Sequence, residues 1–301
     1  MSKIATLILN FNDLNNTLEC LKSLKDIKTI GFDHQIFLVD YGKQNQTSKF
    51  KATFPSLNLY RQEANLGFSA ANNFLIKKAF NWGADYILLL NNDTLVSPNF
   101  IKTLYKYLDS HPQVAAVSPK IYFAKGFEFH KNKYDDKDLG KVIWYAGGKI
   151  DWQNLYCSHL GVDQVDQAQF DQIYSTDFFS GCCALINVPA LNHVGLFDPK
   201  YFLYWEDVDL SYRLKKAGYN ISYCGKTHIW HKNAGSSSVG SDLQTYFLNR
   251  NRLYFGLKYA RPKTKLALLK QSLSLLKGTK WQKQATLDFY FAKMGIGSWK
   301  D

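Results

Sequence analysis

The sequence predicts an α/β fold, a mostly parallel central sheet flanked by helices, followed by a helical, basic C-terminal appendage. Short apolar runs at Ile4 to Leu9, Gln35 to Val39 and Tyr86 to Leu90 have the length and content of buried strands. Helical spacing fills the intervals, from Leu14 to Leu24 and from Ala70 to Trp82. Such alternation is the pattern of a parallel sheet covered on both faces. Past Asp242 the pattern turns helical, and from Lys258 to Asp301 ten Lys/Arg stand against Asp288 and Asp301 alone.

Composition bounds the function. The 301 residues are 46% hydrophobic and 16% aromatic, enough to bury a full core. Cys20, Cys157, Cys182, Cys183 and Cys224 show neither a CxxC pair nor zinc spacing, which fits thiols in a reducing compartment. The apolar run at Ile4 is too short for a signal peptide, and no run reaches the roughly 18 residues of a spanning helix. A chain that is cytoplasmic, or peripheral at the inner face of the cell membrane, is therefore expected. The formal charge is +12. A basic surface suits nucleic acid, anionic lipid or a phosphorylated ligand. No nucleic-acid-binding signature accompanies it, so nucleic acid is not an expected partner. In the tail, Leu266, Leu269, Leu273 and Leu276 run beside Lys265, Lys270 and Lys277. That row fits a helix lying on an anionic membrane, and it fits equally a helix packing its leucines on the domain.

The polar residues cluster where the strands end. Leu9-Asn10-Phe11-Asn12 closes the first strand, with amides that can cap the next helix or meet a nucleoside. Asp40 closes the second, where a carboxylate can accept from the imide N–H of uracil or thymine. In Asn65-Leu-Gly-Phe-Ser-Ala-Ala-Asn-Asn73, Gly67 permits close backbone approach at a helix entry. Asn65, Asn72 and Asn73 can bond a nucleotide or a neighbouring strand end. No Gly-Lys-Ser/Thr follows, which disfavours ATP hydrolysis. The third strand runs into Asn91-Asn92-Asp93, a set of oxygen ligands in which one carboxylate plus substrate phosphates can complete an octahedral shell. An Asx turn before a helix near Ser97-Pro98 fits the same residues. Right-handed crossovers bring Asn10, Asp40 and Asn91 to a single sheet edge, where open sheets bind ligands.

The stretch from Lys125 to Gln172 is polar and irregular, charged from Lys131 to Lys141, and reads as loops and short strands of an acceptor-side insertion. Phe202-Leu-Tyr-Trp-Glu-Asp-Val-Asp-Leu210 then opens a helix. Acids in a first turn serve the helix dipole. With Tyr201, Phe202, Tyr204 and Trp205 before them, Glu206 and Asp207 also suit a partly desolvated pocket, where a carboxylate becomes a general base. His231 follows a further strand and can complete a metal shell, contact a diphosphate or serve structure.

Together these segments resemble family 2 glycosyltransferases of the GT-A fold, and within them the bacterial rhamnosyltransferase-like group. The likeness covers about Ile4 to Arg252. It rests on Ile-Leu-Asn-Phe-Asn at 8–12, Val-Asp at 39–40, Asn-Leu-Gly-Phe at 65–68, Leu-Leu-Asn-Asn-Asp at 89–93, Phe-Ser-Gly-Cys-Cys at 179–183, Gly-Leu-Phe-Asp at 195–198, and Phe-Leu-Tyr-Trp-Glu-Asp-Val-Asp at 202–209. After Asp40 the chain reads Tyr-Gly-Lys where the family usually has Asn-Gly-Ser. The resemblance implies an inverting enzyme that moves a sugar, rhamnose among the candidates, from a dTDP- or UDP-linked donor to a glycan or lipid-linked acceptor in cell-surface polysaccharide synthesis. It implies Asp207 as base, with Trp205 and Glu206 toward the acceptor. Leu9, Asn10, Asn12, Asp40, Asn65, Gly67, Asn72, Asn91, Asn92 and Arg250 would face the donor. Asp93 and His231 would hold Mg²⁺ or Mn²⁺. The implied domain spans 1–255, with a nucleotide-binding half at 1–120 and an acceptor-side half at 121–255, before the basic tail at 256–301. A non-catalytic sugar-nucleotide-binding or scaffold protein is the alternative of a different class.

Overall fold

The computed structural model describes residues 1–130, 133–233 and 240–300. Lys131 of the charged stretch and Asp301 of the tail lie outside the described residues. In the first half, β1 (Ser2–Asn10), α1 (Leu14–Ser23), β2 (Phe32–Asp40), α2 (Thr47–Thr53), β3 (Asn58–Arg61), α3 (Gly67–Trp82) and β4 (Tyr86–Leu90) alternate. β5 (Thr94–Val96), α4 (Phe100–Asp109) and β6 (Val114–Phe123) follow. The irregular middle holds the short strands β7 (Ile143–Tyr145), β8 (Gly148–Asp151), β9 (Tyr156–His159) and β10 (Ile173–Ser175). β11 (Cys183–Asn187), α5 (Val188–Val194), α6 (Glu206–Lys216) and β12 (Asn220–His231) complete the sheet and its cover, and α7 (Asp242–Tyr259), α8 (Pro262–Leu275) and α9 (Lys280–Tyr290) form the tail.

The apolar runs are strands because both of their faces are covered. Along β1, Ile4 and Ile8 enter one core cluster while Ala5 and Leu7 enter the other. β4 divides in the same way, Leu88 and Leu90 against Ile87 and Leu89. This period of two leaves no polar face, and each fully buried Leu or Ile contributes roughly 1.5–3 kcal/mol.

Among the described residues the main sheet runs β10-β12-β6-β11-β4-β1-β2-β3, with β5 paired to β12 and β7 to β6. The stretch β4-β1-β2-β3 is parallel throughout, so Asn10 and Asp40 sit side by side in register. β11 enters antiparallel between β4 and β6, and beyond it only β12 runs parallel to β6 while β5, β7 and β10 pair antiparallel, so the sheet is parallel from β4 to β3 and mixed on the other side. β3 has no counterpart among the expected strands. It is a four-residue, half-buried edge whose Asn, Tyr and Arg give no apolar run.

The tail is helical, and α7 passes without a break through residue 255. Leu268 of α8 packs where Gly256 of α7 leaves no side chain: a Cβ there would stand 2.3 Å from its Cδ1. Among the described residues no helix is long and apolar enough to cross a membrane. All five cysteines are free thiols.

Candidate active site

The strand ends are joined by a chain of side-chain hydrogen bonds. Asn10 Nδ2 donates to Asp40 Oδ1 at 2.7 Å, and Asn10 Oδ1 accepts from Thr17 Oγ1 at 2.8 Å. Thr17 Oγ1 in turn accepts from Asn92 Nδ2 at 2.9 Å. Asp40 is 1% exposed. It also accepts from the Gly42 amide at 2.9 Å and from Arg61 Nη1 at 2.8 Å. Arg61 reaches it because β2 and β3 pair Asp40 with Arg61 in register. Asn12, at φ 54°, accepts from the Lys43 amide at 2.8 Å and fixes the loop after Asp40. Leu9 packs half-buried on the second core cluster. Tyr41 joins that core too, and burial pushes its phenol up to about 12. Tyr41 thus serves the core instead of the cleft.

Asp93 sits in the turn between β4 and β5, and register brings His231 to it. β5 pairs antiparallel with β12 so that Thr94 faces His231. His231 Nε2 then lies 3.1 Å from Asp93 Oδ1. His231 Nδ1 is buried and has no hydrogen-bond partner among the described residues. Trp144 packs edge-on against the His231 ring, with centroids 4.6 Å apart. Among the described residues no group of three or more His, Cys, Asp or Glu is gathered to hold a cation. A carboxylate and an imidazole offer two donors of the mixed oxygen and nitrogen kind, fewer than a cation's full shell.

The turn before β11 ties this edge to Asp207. The Asn91 amide donates to the Cys182 carbonyl at 2.9 Å, and the Gly181 amide donates to Asp207 Oδ2 at 2.9 Å. Asp207 Oδ1 accepts from the Val208 amide at 2.8 Å. Burial raises the Asp207 carboxyl above its ordinary range, against the pull of these two amides. Glu206 is raised further, by burial first and then by the Asp207 charge, and its Oε2 has no partner among the described residues. Asp209, third acid of the motif, is wholly buried and serves structure. It accepts from Tyr201, Arg213, Lys258 and Tyr259.

The residues before α6 are held in an unusual shape. Phe202, Tyr204 and Trp205 all have positive φ, at 62°, 67° and 75°. For side chains this bulky the left-handed region costs roughly 1–2 kcal/mol each. Asn251 of α7 offsets part of that, because its Nδ2 donates to the carbonyls of Tyr201, Leu203 and Tyr204 at 2.8, 2.8 and 2.9 Å. Arg250 works beside it and is not at the cleft. It is 0% exposed, and its guanidinium donates to the Tyr201 carbonyl at 3.1 Å and to Tyr246 Oη at 3.3 Å. The structure therefore places Arg250 under the loop, away from the other residues expected at the donor.

Opposite the loop, Asn65 Oδ1 accepts from the Gly67 amide at 2.9 Å and starts α3. Gly67 has φ 75°, and a Cβ there would stand 2.4 Å from the Phe202 ring. The start of α3 and the loop before α6 meet at this contact. Asn72 is turned into α3, its Nδ2 donating to the Phe68 carbonyl at 3.0 Å, and Asn73 clasps the Phe197 backbone.

A family model described as "Glycosyltransferase like family 2" matches residues 2–256. The chain belongs to glycosyltransferase family 2. This glycosyltransferase is 25% identical over 211 residues to an N-acetylglucosaminyl-diphospho-decaprenol L-rhamnosyltransferase of Mycobacterium tuberculosis, covering 67% of each chain. It is 27% identical over 150 residues to the rhamnosyltransferase WbbL of Escherichia coli (strain K12), covering 49% of this chain and 52% of that one. Among solved structures, GalNAc-T7 with UDP, GalNAc and Mn²⁺ aligns at a TM-score of 0.61 and 15% identity, over 96% of this chain and 58% of that one. The glycosyltransferase thus spans little more than half the length of that protein. A mannosyltransferase from Pyrobaculum calidifontis, in complex with GDP-Man and Mn²⁺, aligns at 0.55 and 14% identity, over 98% of this chain and 76% of that one. At such identities the likeness is one of fold, the GT-A sheet flanked by helices.

The glycosyltransferase also uses residues that sequence reading missed. Thr17, Arg61 and Gly181 complete the network, yet Thr17 stands 75 positions from the Asn92 it bonds. Only Gly181 carried a signal, as the glycine of Phe-Ser-Gly-Cys-Cys.

Proposed function

We propose that this glycosyltransferase works by a single inverting displacement, moving a deoxyhexose such as rhamnose from a nucleoside diphosphate to a lipid-linked glycan. The observation that carries the reading is the backbone tie through Cys182 and Gly181, which sets Asp207 against the strand end bearing Asp93. The names of the rhamnosyltransferase relatives support the sugar, and that of the mycobacterial relative supports a diphospholipid acceptor.

Two backbone N–H bonds fix the Asp207 carboxylate, and each oxygen keeps a second lone pair for a proton. Asp207 takes the proton of the acceptor hydroxyl while that oxygen bonds the anomeric carbon. The bond from that carbon to the diphosphate oxygen breaks, and the nucleoside diphosphate leaves. Asp93 and His231 are the residues that would hold a divalent cation, and the imidazole favours Mn²⁺ over Mg²⁺. Such an ion supplies charge neutralisation on the departing diphosphate. Asp40, held by Asn10 and Arg61, forms the floor for the pyrimidine.

The test is a panel of dTDP- and UDP-sugars with a lipid-linked acceptor, with and without Mn²⁺, the product configuration being read by NMR. Inversion is expected, and Asp207→Asn should lower the rate on the order of 10²–10⁴ while donor affinity holds. Retention of configuration, or near-normal turnover by the variant, overturns the assignment. Donor binding without turnover across the panel returns the chain to the scaffold reading.

A further inference from the structure

The solvent face of α8 is built like neither a core helix nor an ordinary surface helix. Its inward residues are Thr264, Leu268 and Ser272, a stripe at steps of four that lies on α7. On the opposite side Lys263, Leu266, Lys270 and Leu273 follow one another at steps of three and four, a single row on one helix face, and Lys277 stands just past the helix end. Every member of that row is exposed, Leu266 by 56% and Leu273 by 59%. A row of water-facing lysines needs no leucines between them, because each exposed leucine forgoes the gain of burial.

The charge on the row has one sign. α8 contains no acid, and between Lys258 and Lys300 the one acid, Asp288, is buried with Tyr246, Gln284 and Ser298 as partners. Arg261, Lys280 and Lys283 add further exposed positive charge. On the inward side the Ser272 and Tyr290 hydroxyls meet at 2.6 Å, which holds α8 on the end of α9 and leaves the opposite row free to face outward.

We propose that this face of α8 docks the protein flat on an anionic lipid bilayer. The leucines enter the boundary between headgroup and acyl chain while the lysines bind lipid phosphates, the arrangement of an interfacial amphipathic helix. Leu268 of α8 shares a packed cluster with Trp205 and Val208, which flank Asp207 in sequence. The inference stands on the tail alone and not on the catalytic reading, and binding is read without donor or turnover.

The test is co-sedimentation of the full chain with phosphatidylcholine vesicles, with and without phosphatidylglycerol. Binding to the anionic vesicles only is expected, falling about fivefold for each of Lys263→Gln, Lys270→Gln and Lys277→Gln and weakening as salt rises. Leu266→Ser with Leu273→Ser should lose binding while unfolding at the wild-type temperature, since neither side chain packs in the core. Equal binding to neutral vesicles, no binding at all, or variants that bind as the wild type each overturn the proposal. So does a leucine-dependent dimer in sedimentation velocity without vesicle binding, which assigns the face to a second copy of the chain.

Discussion

Glu206 and Asp207 are neighbours in one helical turn, yet their surroundings give them different work. Glu206 is buried with an unpartnered oxygen beside the Asp207 charge, so it is the one that keeps its proton. Asp207 has two amides to steady its ionised form. Glu206→Gln, which mimics a neutral acid, should then keep turnover within about tenfold of wild type, where Asp207→Asn does not. A base acts deprotonated, so kcat/KM should fall as pH drops through the raised Asp207 value, above the ordinary carboxylate range near ~4. Stability has the opposite sign. The folded state binds more protons than the unfolded chain between the ordinary and the raised values, so stability declines as pH rises through that window, and Glu206→Gln should flatten the decline. Thermal unfolding at stepped pH reads this, and an unchanged slope would discard the assignment of the proton to Glu206. Asn10, Asp40, Asp93 and Asp207 were legible in the sequence because strand ends and helix starts mark themselves by composition. Arg61 and Thr17 were not, because their partners come from pairing register and tertiary approach. Arg250 misled because a family match at one arginine implies a place at the donor, whereas its burial under the 201–205 loop is invisible in one dimension.

At the scale of elements, the left-handed turn before α6 is stable only because α7 holds its carbonyls. Asn251→Ala removes donors from three carbonyls and should destabilise the chain by about 2–4 kcal/mol. It should also lower kcat more than it raises donor KM, since the loop positions the base and not the donor. A variant that loses stability while kcat holds would reduce Asn251 to a packing residue. The strands of the first half followed from their apolar runs, and β3 did not, because a short half-buried edge has no such run. Three consecutive-region positive φ values at bulky residues have no sequence signature at all. They exist because Gly67 admits Phe202 and Asn251 caps the turn, two contacts made by residues far away along the chain.

For the whole molecule, the tail is part of the core. Tyr246 and Phe247 pack with Ala285, and Leu268 fills the space over Gly256. A chain ending at Ala260 should therefore unfold at lower temperature than the full chain and expose enough apolar surface to bind a hydrophobic dye; an unchanged melting temperature would make α8 and α9 a dispensable appendage. The leucine periodicity of the tail was legible, but its direction was not. Leu268 packs inward while Leu266 and Leu273 face out, and choosing between stripes one step apart takes the neighbouring helix. The pairing of Thr94 with His231 sets a different kind of limit. Side chains alternate faces along a strand, so one residue lost between Asp93 and Val96 would set Trp230, and one gained Lys232, opposite Thr94 in place of His231. Chain length is therefore fixed between Asp93 and Val96, where a single insertion would part the two proposed cation ligands, whereas lengthening the irregular segment after Phe123 leaves that pairing untouched.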